Sequence, residues 1–179
     1  MTETTETDRR QWYAVQLRPR FEKLVALHLK DKGYEHYLPM YRSRHRWSDR
    51  IKEIELPLFP GYIFCKFDVS HRLPVLVVPG VISIVGSGKH PLAIPEQEIS
   101  AVQKIVNSGM AYGPWRSLCT GQRVLVRYGP LRGLEGVVLE VKNTYHLVIS
   151  VTSLSRSVSV VIDRDSVVPT GERNQKVAS

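Results

Sequence analysis

The run Leu56-Pro57-Leu58-Phe59-Pro60-Gly61-Tyr62-Ile63-Phe64-Cys65-Lys66-Phe67 constrains the fold more than any other stretch of this chain. A proline-flanked turn delivers two aromatics, Phe59 and Tyr62, into a segment that alternates with the period of a strand. Tyr62, Phe64 and Lys66 fall on one side of such a strand, and Ile63, Cys65 and Phe67 on the other. A strand that is apolar on both sides is buried twice, or is buried on one side and offers the other to a partner. Alternation alone leaves those two faces interchangeable.

The segments around this run read as a small α+β domain. Residues 1–10 form a polar leader expected to be disordered. Residues 12–17 read as a strand, and Pro19 is expected to open a helix where its missing N–H costs nothing. Phe21, Leu24, Val25, His28 and Leu29 give that helix an apolar stripe, and Gly33 ends it. Residues 35–41 read as a second strand, with Pro39 near an edge. A basic excursion follows over 42–52, with Ser48-Asp49 at its tip and a strand-like return over 51–56. Beyond Phe67 the pattern predicts a short helix within 68–78, a strand over 81–85, a loop at 86–89 and a helix from Pro95 to Gly109. Ile99, Val102, Ile105 and Val106 form its apolar stripe. The order β-α-β-β-(α)-β-α predicts an antiparallel sheet with helices on one face.

Residues 110–119 lack periodicity and read as a linker. From Gly121 onward the chain is rich in strand formers. Five short strands are expected, over 122–126, 137–141, 146–151, 157–162 and 167–168. Five strands in so short a span predict a small SH3-like barrel, closed to remove its edges. The expected organisation is therefore a leader at 1–10, a first domain at 11–109, a linker at 110–119, a barrel at 120–170 and a disordered tail at 171–179.

Charge narrows the partners. The chain carries 25 Lys+Arg against 17 Asp+Glu, a net charge of +8. The excess is uneven: residues 9–55 hold 12 Lys+Arg against 6 Asp+Glu. An acidic polymer, nucleic acid first, suits that bias. Arg42, Arg44, Arg46 and Arg50, interleaved with His45 and Trp47, suit phosphate contact with base stacking. The same pattern also serves a solvated hairpin whose charges keep an edge strand from pairing.

Several classes are disfavoured. Two cysteines, Cys65 and Cys119, with no CxxC spacing argue against a disulfide framework or a zinc site. There is no HExxH, no GxSxG and no GxxxxGK[ST], so the Gly86-Ser87-Gly88-Lys89 run is not read as a phosphate loop. Cys65 lies within an apolar strand and reads as core rather than nucleophile. The expectation is a non-enzyme without metal or cofactor. No segment approaches the roughly 20 apolar residues that span a bilayer, and a cytoplasmic monomer is expected.

Three motifs in order, Trp12-Tyr13, Pro57-Leu58-Phe59-Pro60-Gly61-Tyr62 and Gly129-Pro130-Leu131-Arg132-Gly133-Leu134-Glu135-Gly136-Val137, make the chain resemble the NusG family of transcription elongation factors. The resemblance runs from about residue 12 to 169 and implies an N-terminal NusG domain followed by a KOW barrel. Tyr37-Leu38-Pro39-Met40, the basic hairpin and Pro57-Leu58-Phe59-Pro60 look more like the specialised paralogs of the RfaH and UpxY type, which act as antiterminators at particular operons.

The resemblance also implies sites. In the family, the sheet face with the Phe-Pro-Gly-Tyr turn docks on the clamp helices of the largest RNA polymerase subunit; Phe59, Tyr62 and Phe64 are the matching positions. The alternative for these aromatics is plain core, and Trp12 is expected to pack beneath them. Arg18, Arg20, Lys23 and His28 match the region that contacts non-template DNA, and Arg42, Arg44, Arg46 and Arg50 fall on the hairpin. Near His71-Arg72 the run of threonines that some relatives use against the opposite pincer is lacking. Leu154 matches the loop residue through which the barrel meets a ribosomal small-subunit protein or Rho; its alternative is an ordinary loop side chain. The valines of the barrel favour strands over a helical alternative. Competing functions are a general factor of the same family, or a free KOW protein that binds RNA or ribosomes. Such a protein has no need of the aromatic turn.

Overall fold

The computed structural model describes residues 9–46, 51–115 and 121–170. In chain order these residues form β1 (Gln11–Leu17), α1 (Glu22–Asp31), β2 (Glu35–Tyr37), β3 (Met40–Arg46), β4 (Ile51–Pro57), β5 (Tyr62–Phe67), α2 (Leu73–Leu76), β6 (Val81–Ile84), β7 (Gly86–Ser87), β8 (His90–Pro91) and β9 (Ala93–Ile94). They continue as α3 (Glu96–Val106), β10 (Tyr112–Trp115), β11 (Gln122–Val126), β12 (Glu135–Val141), β13 (Thr144–Val151), β14 (Arg156–Ile162) and β15 (Val167–Pro169). The chain divides into two compact units: Met1–Leu38 with Phe59–Glu96, and Pro39–Leu58 with Gln97–Ser179.

The first unit is built on an antiparallel sheet in the order β2-β5-β1-β6, with β9 also pairing β1. Residues 12–15 of β1 are all buried, as are Ile63, Phe64, Cys65 and Phe67 of β5. Both strands are therefore covered on both faces, the first of the two outcomes that the alternation allowed. Ile63, Cys65 and Phe67 join Tyr13, Val15, Leu17, Val25, Leu29, Val75 and Val78 in the main core. The rings of Tyr13 and Phe67 meet at 4.8 Å. Burying each large apolar side chain of this kind contributes about 1.5–3 kcal/mol. Their side of the sheet is thus the one that meets α1 and α2.

The second unit holds the β3–β4 hairpin, α3 from Gln97 onward, and an antiparallel sheet in the order β10-β14-β13-β12-β11-β15. The five strands expected for an SH3-like barrel are β11 to β15, and Val124, Val126, Leu147, Val151, Val158 and Val160 are buried among them. The fold is α+β, as the sequence predicts.

Local expectations shift in four places. Pro19 does not open a helix: α1 starts at Glu22, because Pro19 is used one turn earlier. Leu24 is 44% exposed, so the buried stripe of α1 is Glu22, Val25 and Leu29. The second strand breaks at Leu38-Pro39, where the missing N–H of proline ends the β2 ladder before β3 begins. Tyr112–Trp115, read as linker, pairs with β14 as β10. Among the described residues, no helix is long and apolar enough to cross a membrane.

Candidate nucleic-acid and protein-docking surfaces

Three tight turns gather at one end of the first sheet. Phe21 N–H donates to Arg18 O at 3.1 Å, Tyr62 N–H to Phe59 O at 3.1 Å and Val81 N–H to Val78 O at 3.0 Å. Each closes a four-residue turn with proline second. The third residue has positive φ: Arg20 at 69°, Gly61 at 81° and Gly80 at 97°. That is the type II pattern, in which the third residue must be left-handed. The chain meets itself here because β1 ends where β5 and β6 begin. Gln16 pairs with Tyr62 and Leu17 with Val81.

The turns are stitched together through backbone. Leu17 N–H donates to Gly61 O at 2.8 Å and Arg18 N–H donates to Gly80 O at 2.8 Å. The central amide of a type II turn takes no part in the turn's own hydrogen bond, so its groups look outward for partners. In the 59–62 turn the Gly61 N–H donates to the Glu22 carboxylate, Oε1, at 3.0 Å. Glu22 is only 7% exposed, on the first turn of α1. The basic turn, the aromatic turn and the start of α1 are thus one hydrogen-bonded assembly.

The three aromatic candidates separate. Phe59 and Phe64 are 2% and 1% exposed and pack edge to face at 5.5 Å. Tyr37 stacks on Phe64 at 6.4 Å. Tyr62 is half-buried. The core alternative therefore describes Phe59 and Phe64 in this structure, and Tyr62 is the one with open surface. Trp12 lies on the Phe64 side of the sheet, 3% exposed, and donates through Nε1 to Glu96 at 3.4 Å. Lys66 pairs with Glu96 at 3.3 Å and lies 5.9 Å from the centroid of the Trp12 ring. Burial pushes the Cys65 thiol up to about 12, so it is inert at neutral pH.

The cationic candidates also separate. Arg18, Arg20 and Lys23 are exposed on the basic turn and the first turn of α1. His28 is half-buried and stands about 140° from Lys23 around a helix of 3.6 residues per turn. The exposed Lys30 shares the Lys23 face instead, a position that a seven-residue spacing could have disclosed. On the hairpin, Arg42 stands opposite Glu55 and Arg44 opposite Glu53. Arg44 Nε lies 3.3 Å from Glu53 Oε1, with both side chains largely exposed. Arg46 pairs with Ile51 through the backbone. Trp47, Asp49 and Arg50, with the expected tip, lie outside the described residues.

Leu154 closes a short 3-10 turn, Thr152–Leu154, between β13 and β14, and is half-buried. The turn is tethered: Thr152 N–H and Oγ1–H donate to the two carboxylate oxygens of Glu98 at 3.1 and 2.8 Å. At the start of the 3-10 turn Val69–His71, the Ser70 N–H holds the Asp68 carboxyl below its ordinary range. Among the described residues no three His, Cys, Asp or Glu side chains group as a metal site.

Residues 10–103 match the family described as "Transcription termination factor nusG". The chain is 28% identical over 174 residues to the transcription termination/antitermination protein NusG of Escherichia coli (strain K12), covering 89% of this chain and 96% of that protein. It is 27% identical over 173 residues to the NusG of Vibrio vulnificus (strain CMCP6), covering 89% and 95%. A solved structure described as "Domain interaction in Thermotoga maritima NusG" shares the fold, with a TM-score of 0.54 at 19% identity over 88% of this chain and 96% of that one. Matched over more than half its length, the chain belongs to the NusG family of transcription termination/antitermination factors, which are transcription factors and not enzymes.

Proposed function

We propose that this factor binds the clamp helices of the largest RNA polymerase subunit through the 59–62 turn and passes the exposed non-template strand over Arg18, Arg20 and Lys23. The observation that carries the reading is that Gly61 of the aromatic turn is hydrogen-bonded to the residues on either side of the basic turn, accepting from Leu17 N–H and donating to the Glu22 carboxylate. A polymerase held by one and DNA held by the other are fixed relative to each other. Bridging of that kind favours the closed, processive polymerase by shifting a population, and needs no chemistry. Tyr62 makes the direct contact, while Phe59 and Phe64 pack edge to face in the buried layer of the same unit. The β3–β4 hairpin, with Arg42, Arg44, Arg46 and Arg50, supplies a second DNA contact and supports an operon-specific role in suppressing pausing or termination. Residues 11–109 act as the NusG domain and 120–170 as the KOW barrel, with Leu154 meeting a ribosomal small-subunit protein or Rho. We place the factor in the cytoplasm as a monomer.

The test is a binding measurement with core RNA polymerase. Tyr62→Ala is expected to weaken the complex by about 30-fold, the equivalent of a hot-spot side chain of about 2 kcal/mol. Equal binding by wild type and Tyr62→Ala, or none by either, would overturn the reading.

A further inference from the structure

We infer that Glu22 is a positioning residue. It sets the aromatic turn against the basic turn, and so tunes polymerase binding without touching polymerase. The inference rests on the docking reading above and names a residue outside the docking surface. Three observations carry it. Glu22 is 7% exposed, an expensive place for a carboxylate without a hydrogen-bond partner. Its Oε1 accepts the Gly61 N–H at 3.0 Å, the outward-facing amide of the turn that presents Tyr62. It is also the second residue after Arg20 and opens α1, so its backbone is continuous with the basic turn. Leu17 N–H on Gly61 O fixes the other side of the same glycine. Gly61 is thus gripped at both its N–H and its C=O by the segment that carries Arg18 and Arg20. Removing one grip lets the turn swing about the other and displaces Tyr62.

A rival role is available to an acid in the first turn of a helix, namely favourable interaction with the helix dipole. Two conservative substitutions separate the roles because they rank in opposite order. Glu22→Gln keeps the reach and the acceptor oxygen but loses the charge. Glu22→Asp keeps the charge but withdraws the oxygens by one methylene, out of reach of the Gly61 N–H. The full-length chain is measured for affinity to core RNA polymerase and for hydrogen exchange at the Gly61 amide, with Tyr62→Ala alongside.

Positioning predicts that Glu22→Gln binds within about twofold of wild type with the Gly61 amide protected. It predicts that Glu22→Asp binds about tenfold more weakly, the equivalent of one net hydrogen bond, with that amide exchanging freely. If Glu22→Asp binds as well as or better than Glu22→Gln, or if Gly61 stays protected in Glu22→Asp, the inference is overturned. Should Tyr62→Ala match wild type, the docking reading fails. The exchange at Gly61 then decides alone whether Glu22 holds the turn.

Discussion

The turns 18–21 and 59–62 share a backbone pattern and differ in what fills its third position. Gly61 sits at φ 81°, a conformation open to glycine without penalty, and a Cβ there would meet only Leu17 O at 3.7 Å. Arg20 sits at φ 69°, where an L side chain costs about 1–2 kcal/mol. The aromatic turn is therefore built for shape: its glycine lets the backbone take the corner and offers both polar groups to neighbours. The basic turn carries strain that a glycine would remove. A strained residue that persists in a well-packed frame points to use of its side chain. Here the side chain is an exposed guanidinium, two residues after the exposed Arg18 and three before the exposed Lys23.

The largest effect expected in this region falls on the third turn. Gly80 has φ 97°, and a Cβ would stand 2.4 Å from Cδ1 and 2.9 Å from Cβ of Phe21. The near approach to Phe21 Cβ leaves the ring little room to swing clear. Gly80→Ala is expected to lose about 3 kcal/mol or more, combining left-handed strain with overpacking. Gly61→Ala, strained but not crowded, should lose about 1–2 kcal/mol. Urea unfolding midpoints measure both. Equal losses would show that backbone strain alone governs the cluster and that Phe21 yields.

The difference between these turns also explains what could be read in advance. The pattern Phe-Pro-Gly-Tyr announces a turn in the sequence because glycine is the ordinary occupant of its third position. Arg-Pro-Arg-Phe does not, and its proline reads equally well as the first residue of a helix. Only the meeting of β1 with β5 and β6 decides in favour of the turn. The alternation of β5 was legible, and with it the grouping of Ile63, Cys65 and Phe67. The burial of Phe59 and Phe64 was not, because period-two patterning gives the sides of a strand without saying what covers them. Glu22 was invisible for a related reason. A carboxylate in the first turn of a helix is an everyday surface feature, and its partner at Gly61 is 39 residues away. The valine-rich strands of the barrel were the easiest to foresee, since each is short, regular and bounded by turn formers.

Arg20→Gly tests the strain argument with an effect of the opposite sign. The substitution should stabilise the chain by about 1 kcal/mol, since it relieves a left-handed side chain at an exposed position. It should also weaken binding to single-stranded DNA and reduce the salt dependence, log K against log salt, by about 0.7 for the lost phosphate contact. Thermal unfolding and a salt titration of DNA affinity read the two sides. A stabilised variant that binds DNA as before would mean that the strain at Arg20 serves something other than DNA. A destabilised variant would mean that the side chain packs rather than reaches.

The smallest effects are expected on the hairpin, and they separate its arginines from those of the turn. Arg44 and Glu53 are 79% and 52% exposed, so Arg44→Ala should change stability by less than about 0.5 kcal/mol. Its DNA effect should also be smaller than that of Arg20→Gly. Arg42 and Arg44 each stand opposite a glutamate, which offsets their field, whereas Arg18, Arg20 and Lys23 are each exposed and the nearby Glu22 is buried. The sharper experiment removes the offset. Glu53→Gln leaves the strand pairing in place, removes the negative charge that offsets the Arg44 guanidinium and so raises the local positive charge by one. DNA affinity at low salt is expected to rise by about two- to threefold, and the gain should fade as salt screens it. No gain at low salt would show that the hairpin stem does not face DNA. Nucleic-acid contact would then rest on the turn at the sheet end and on the hairpin tip.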